Sequence, residues 1–150
     1  MTAGRICRRD VDSIEGDTLV RAAAQRMSAR NVGTLLVLDS RKRILGLVTD
    51  RDLALRVVGE GRDPQLTRVR DVMSPDPATV STEASVNDAL RLMRSRSIRR
   101  LPVIGEDGAV VGVVSMDDIV LALAGEFSDL KRIIECSSPQ LLAHSQAWSE

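Results

Sequence analysis

Apolar residues at Val20, Ala23, Ala24 and Met27 stand at i, i+3, i+4 and i+7, and Val86, Ala89, Leu90 and Met93 repeat that spacing. This is the stripe of an amphipathic helix, whose 3.6-residue period brings such positions to one face. Ser85 with Asp88 three residues on supplies a start signal for the second of these helices. Two short apolar runs follow each stripe, 35–38 and 44–48 in one place, 101–104 and 110–114 in the other. Polar turn residues separate the runs (Asp39-Ser40-Arg41-Lys42 and Gly105-Glu106-Asp107-Gly108), so each pair predicts a hairpin. The runs are apolar throughout rather than alternating, which predicts strands covered on both faces. A second helix is predicted over 50–58 and again over 116–124. A short extended piece, near 11–14 and 79–80, precedes each first helix.

These elements are one pattern written twice. Gly46 matches Gly112, an offset of 66 residues, and that offset holds without a gap from Ile6/Val72 and Asp10/Asp76 through Val20/Val86, Met27/Met93 and Leu35/Leu101 to Asp52/Asp118. One register kept so long is an internal duplication. The fold class is α/β (α+β), two pseudo-symmetric β-α-β-β-α repeats. A unit of roughly 50 residues is small to fold alone, so the two are expected to share a core. The predicted boundaries are 5–58 and 70–126 for the repeats. Residues 59–69, polar with Gly and Pro, form the linker. Residues 127–150 form a tail with one or two helical turns near 130–134, fraying beyond.

Composition narrows the function classes. The chain has 150 residues, 43% hydrophobic and 28% charged, the profile of a soluble globular protein. Its 21 basic and 21 acidic residues cancel, so no global field recruits nucleic acid or an anionic membrane. Phe127 and Trp148 are the only aromatics, which leaves little for base stacking. Cys7 and Cys136 lie far apart and His144 is the single histidine, so no Cys/His metal site is expected. The cysteines are expected as buried or idle thiols. Met27, Met73 and Met93 are expected as core fillers. The first twenty residues show no apolar secretion core and no apolar run approaches 18 residues, so a cytoplasmic protein off the membrane is expected.

The densest chemistry lies in a phrase that occurs in both repeats, GLVTDRDLAL at 46–55 and GVVSMDDIVL at 112–121. Thr49 with Asp52, and Ser115 with Asp118, place a hydroxyl at a strand end and an acid three residues on. Helix capping alone accounts for such pairs. The same turn also offers free backbone N–H groups to an anion, while its carboxylate accepts well from a ribose diol. The run RLMRSRSIRRL at 91–101 carries Arg91, Arg94, Arg96, Arg99 and Arg100. The first three read as a solvated helix face. Arg99 and Arg100 lead into a buried strand and read as ligand or interface contacts. Their counterparts in the first repeat are Gly33 and Thr34. No Walker or dinucleotide glycine fingerprint occurs, and no Ser/His/Asp or Cys/His constellation, so an enzyme is not expected.

The repeat resembles the CBS domain, and its tandem form resembles a CBS pair, or Bateman module, of the stand-alone type. The resemblance rests on VRDVMSPDPATV (69–80), ASVNDALRLM (84–93), SIRRLPVIGEDG (97–108) and the hydroxyl–aspartate phrase, and it covers residues 5–125. It implies a regulatory module that binds an adenosyl ligand (AMP, ADP, ATP, NAD or S-adenosylmethionine). By position, Thr49 and Asp52 would serve one site, and Ser115, Asp118, Arg99 and Arg100 the other. The base pockets would be lined by Ser13 and Ile14 in the first half, and by Thr79 and Val80 in the second. The resemblance further implies a disc-shaped homodimer through helical faces at 53–57 and 119–123. Two rivals stand beside this reading. One is a dimerisation module with vestigial sites. The other is a nucleic-acid binder through the 91–100 arginine run, for which the cancelled net charge is unfavourable.

Overall fold

The computed structural model describes the backbone of residues 1–145 and the side chains of residues 1–136. It divides into two compact units, Met1–Ser115 and Met116–Glu150. The first contains α1 (Ala3–Ile6), β1 (Ser13–Glu15), α2 (Val20–Arg30), β2 (Thr34–Leu38), β3 (Ile44–Thr49) and α3 (Asp50–Leu53), the last running on as a π-helical turn over Ala54–Val58. A 3-10 turn (Val69–Asp71), β4 (Ser74–Pro75), β5 (Val80–Ser81), α4 (Val86–Arg96), β6 (Arg100–Ile104) and β7 (Val110–Ser115) complete it.

The helices form as the stripes predict. Val20, Ala23 and Met27 of α2 are buried, as are Val86, Ala89 and Met93 of α4. Ala24 is exposed and Leu90 half-buried, so each stripe is narrower than its sequence suggests. Both helices stop on a left-handed residue, Asn31 and Ser97, each at φ 53°. Ser85 caps α4 by accepting from the Asp88 N–H at 3.1 Å. The Ser85 hydroxyl also donates to the Asp88 carboxylate at 2.6 Å, which holds that carboxyl below its ordinary pKa.

Both hairpins form, β2 against β3 and β6 against β7, each with a register shift at the same repeat position. β1 and β5 add in parallel to β2 and β6. The middle strands β2 and β6 are buried through their centres, as expected. The expectation of two covered faces fails for β3, where Gly46 and Val48 are buried while Leu45 is 40% exposed. Leu45 has no layer over it, so β3 alternates as a half-covered strand does.

The sheet edges cross between the repeats. β4 belongs to the second repeat by sequence, yet it pairs antiparallel with β3 of the first, Leu47 opposite Ser74. Arg8 of the first repeat bridges Val113 of the second at the same offset. Further matched pairs follow: Val69 N–H donates to Thr18 O at 2.8 Å and Ala3 N–H to Ala84 O at 2.8 Å. Likewise Arg70 N–H donates to Gly16 O at 2.9 Å and Gly4 N–H to Thr82 O at 3.0 Å. Arg43 bridges Ala109, its own repeat counterpart, which marks the pseudo-twofold axis. The stretch read as a linker is thus structured at its end, with Thr67 and Val69 buried.

Close crossing explains the first letter of the repeated phrase. A Cβ on Gly46 would lie 2.6 Å from Ser74 O, and one on Gly112 2.6 Å from Arg8 O. Both are backbone atoms of the incoming edge, so no side chain fits. Leu35, Val37 and Val48 of the first repeat and Leu101, Val103 and Val114 of the second are fully buried. Met27 and Met93 are buried and Met73 partly so, as core fillers.

The second unit is one helix, α5 (Met116–Ser145). It runs on well past the one or two turns expected after residue 128. The repeat register shows why. The first repeat carries Gly59, Gly61 (φ 67°) and Pro64, which turn the chain away from helix; their counterparts are Gly125, Phe127 and Leu130. Two of three stop signals are absent. No described helix is long and apolar enough to cross a membrane. His144 and Trp148 lie outside the residues whose side chains are described.

Candidate functional site

In the first half, β1 runs parallel to β2 and β3 returns antiparallel. The start of β1, the start of β2 and the end of β3 therefore meet at one end of the sheet. Ser13 and Ile14 are on β1 beside Leu36 and Val37, and Thr34 lies opposite Thr49. Two strand spacings separate β1 from β3, roughly 10 Å. The residues expected at the first site thus converge. Ser13 is half-buried, whereas Ile14 is buried in the core, so Ile14 can offer a ligand only its backbone.

Thr49 and Asp52 make the reciprocal capping box that their spacing suggests. Thr49 Oγ1 accepts from Asp52 N–H at 3.1 Å, and Asp52 Oδ2 accepts from Thr49 N–H at 2.9 Å. The second carboxylate oxygen, Oδ1, is 3.5 Å from Arg56 Nη2. Arg56 also donates to Val72 O at 2.7 Å. The Asp52 side chain is 15% exposed, and a carboxylate oxygen can accept a further hydrogen bond beyond these partners. The ion pair with Arg56 is an i, i+4 pair, a spacing visible in the sequence.

Two acidic features of this half were not foreseen. Asp50 lies against Gly33, where a Cβ would come within 3.0 Å of Asp50 Oδ2. Asp10 and Asp12 clamp Arg30 at 2.8 and 2.7 Å. The Asp12 hydrogen bond, then that of Asp10, raises the Arg30 pKa further above its ordinary value. No sequence signal ties residue 33 to residue 50. The hairpin register alone puts them together.

The second half repeats the frame with other chemistry. Val80 pairs with Val103 on β6, and Arg100 lies opposite Ser115. Thr79, Val80, Arg100 and Ser115 therefore share one end of the second sheet, with Arg99 just before β6. Val80 is buried, Thr79 and Ser115 half-buried, Arg99 and Arg100 exposed. Asp118 falls in the first turn of α5. Against Gly33 and Thr34 in the first half stand Arg99 and Arg100, against Asp50 stands Met116, and against Asp12 stands Ala78. The first strand mouth thus carries the Asp50 carboxylate against Gly33, and the second carries two exposed arginines in place of Gly33 and Thr34.

Among the described residues, no three His, Cys, Asp or Glu cluster so as to hold a metal ion. Cys7 and Cys136 are free thiols, Cys7 half-buried and Cys136 exposed.

A family model, the CBS domain, matches residues 3–59 and 69–125. The protein MK0525 of Methanopyrus kandleri is 32% identical over 120 residues, covering 80% of this chain and 61% of its own. The chain spans smaller shares of two further relatives, 16% and 23%. Hypoxic Response Protein I, solved with two coordinated zinc ions, superposes with a TM-score of 0.72 at 30% identity, covering 80% of this chain and 97% of that one. CBSX2, solved in complex with AMP, superposes with a TM-score of 0.70 at 27% identity, covering 83% and 96%.

Proposed function

The chain belongs to the CBS-domain family and carries two CBS domains, and from that premise we propose that it is a regulatory module binding an adenosyl ligand. Ligand binding acts by favouring one conformation or partner state, which requires unequal affinity for the two states. The observation that carries this reading is the gathering, at one end of each sheet, of a hydroxyl residue (Thr49 or Ser115) with the start of the parallel strand. The AMP complex of CBSX2 supports an adenine nucleotide as the ligand class.

The two halves divide the work. Arg99 and Arg100 read phosphate, with Ser115 beside Arg100. Asp52, and Asp118 by register, read the ribose hydroxyls. Thr79 and Val80, like Ser13 and Ile14, line the base through small side chains and backbone. At the first mouth Gly33 and Thr34 stand in place of the arginines and the Asp50 carboxylate repels a phosphate, so the first half takes an adenosyl group with little or no negative charge, or none at all. The module has no catalytic role of its own and acts in the cytoplasm as a homodimer. Val57 is buried in the core and Leu53 packs partly buried against it, so Leu55 and Val58, 56% and 78% exposed, are the large apolar residues of that helix most open to a partner.

Thermal melting with AMP, ADP, ATP, NAD and S-adenosylmethionine tests the reading. A ligand at about 100 times its Kd stabilises by roughly 2.7 kcal/mol, a rise of about 5–11 °C. Unchanged melting across the panel at millimolar concentration would instead support the dimerisation module with vestigial sites. The closed capping box at Asp52 is the observation that favours that second reading.

A further inference from the structure

Helix α5 presents an apolar seam of heptad spacing. Val120, Leu123, Phe127, Leu130 and Ile134 alternate steps of three and four, and all are exposed, from 36% at Leu123 to 71% at Phe127. The outer faces carry Ser128, Asp129, Arg132 and Glu135 with one exposed apolar residue, Leu121, and Ile133 flanks the seam at a g position. Such a seam is the a/d pattern of a coiled coil, with Val120, Phe127 and Ile134 at a and Leu123 and Leu130 at d. It spans about 21 Å of helix.

The flanking charges choose the occupant. With that register Glu126 is a g position and Lys131 the following e position. In a parallel two-stranded coil, g faces the e of the next heptad on the other helix, so Glu126 of each copy meets Lys131 of the other. Two antiparallel registers pair four of the five seam residues: one faces Glu126 with Ile133 and Lys131 with Ala124 of the second copy and leaves both charges unmatched, and the other faces Lys131 with Asp117 but sets the two Glu126 side chains against each other. Lys131 lies 3.7 Å from Glu135 along its own helix, an exposed pair weak enough to rearrange. We infer that two copies of this chain associate through α5 as a parallel, in-register coiled coil along 120–134. The inference extends the homodimer reading by fixing its orientation and is independent of any ligand.

Cysteine crosslinking on the full chain, in a Cys7→Ser/Cys136→Ser background, tests it. Leu130→Cys puts d-position thiols face to face, within the Cα separation of about 4.4–6.8 Å that a disulfide needs. Under mild oxidation it should form covalent dimer, whereas Arg132→Cys on the outer face should not. Leu130 is 54% exposed, so the variant keeps the fold, which circular dichroism checks. Glu126→Lys and Lys131→Glu should each weaken self-association about ten-fold, and mixing the two variants should restore it as heterodimer. A non-covalent dimer in which Leu130→Cys does not crosslink would overturn the coiled coil and leave the homodimer reading standing. A strict monomer by light scattering would overturn both. Equal crosslinking at positions 130 and 132 would also overturn the inference, since random collision then explains it.

Discussion

Gly46 and Gly112 face the same crowding in the two halves, since a Cβ on either would lie only 2.6 Å from an incoming backbone carbonyl oxygen. Gly33 and its counterpart Arg99 face nothing alike. The first packs beneath the Asp50 carboxylate, and the second is an exposed guanidinium at a strand mouth. The duplication is strict where one repeat's backbone must fit the other, and it has diverged where side chains face solvent. Divergence therefore maps the surfaces that carry separate chemistry: a mouth with the Asp50 carboxylate, a mouth with two arginines, and a helix extended in one half only.

Five substitutions, four of them at paired positions, sharpen this contrast. Gly46→Ala and Gly112→Ala push a methyl into backbone, and each should cost about 1–3 kcal/mol in urea unfolding. A clearly smaller loss in either would mean that its edge pairing is dispensable. Thr49→Ala removes the acceptor for Asp52 N–H and should cost about 0.5–2 kcal/mol. Retention of full stability would show that the capping box is incidental and strengthen the case for a ligand role. Gly59→Ala and Gly125→Ala should have opposite signs. The first places Cβ 2.6 Å from Leu55 O at the π-helical turn and should destabilise. The second meets no atom within 4 Å in mid-helix and should stabilise α5 by about 1 kcal/mol, read as increased helicity and a higher Tm.

Periodicity made the stripes of α2 and α4 legible, and the polar breaks at 39–42 and 105–108 made the hairpins so, because both signals are local. The Thr49–Asp52 box was legible for the same reason. The crossed edges were not. Residues 74–75 look like part of the second repeat, and only long-range pairing with β3 moves them to the first sheet. The duplication hinted at shared structure without saying which strand joins which. The length of α5 is not legible in residues 128–134 taken by themselves. Set against 61–64 of the first repeat, the absence of Gly61 and Pro64 equivalents at 127–130 is plain in the sequence. The carboxylate at the first mouth needed Asp50 to be placed on Gly33, which no spacing rule supplies.

The central claim is that the second half reads phosphate through Arg100 while the ribose is read elsewhere. Titration calorimetry of AMP and adenosine against the native chain and Arg100→Ala tests it directly. A charge-assisted hydrogen bond contributes roughly 1.5–3 kcal/mol, so the variant should bind AMP about 10- to 150-fold more weakly and adenosine unchanged. Equal losses for AMP and adenosine would contradict the claim and assign Arg100 to the fold or the base pocket.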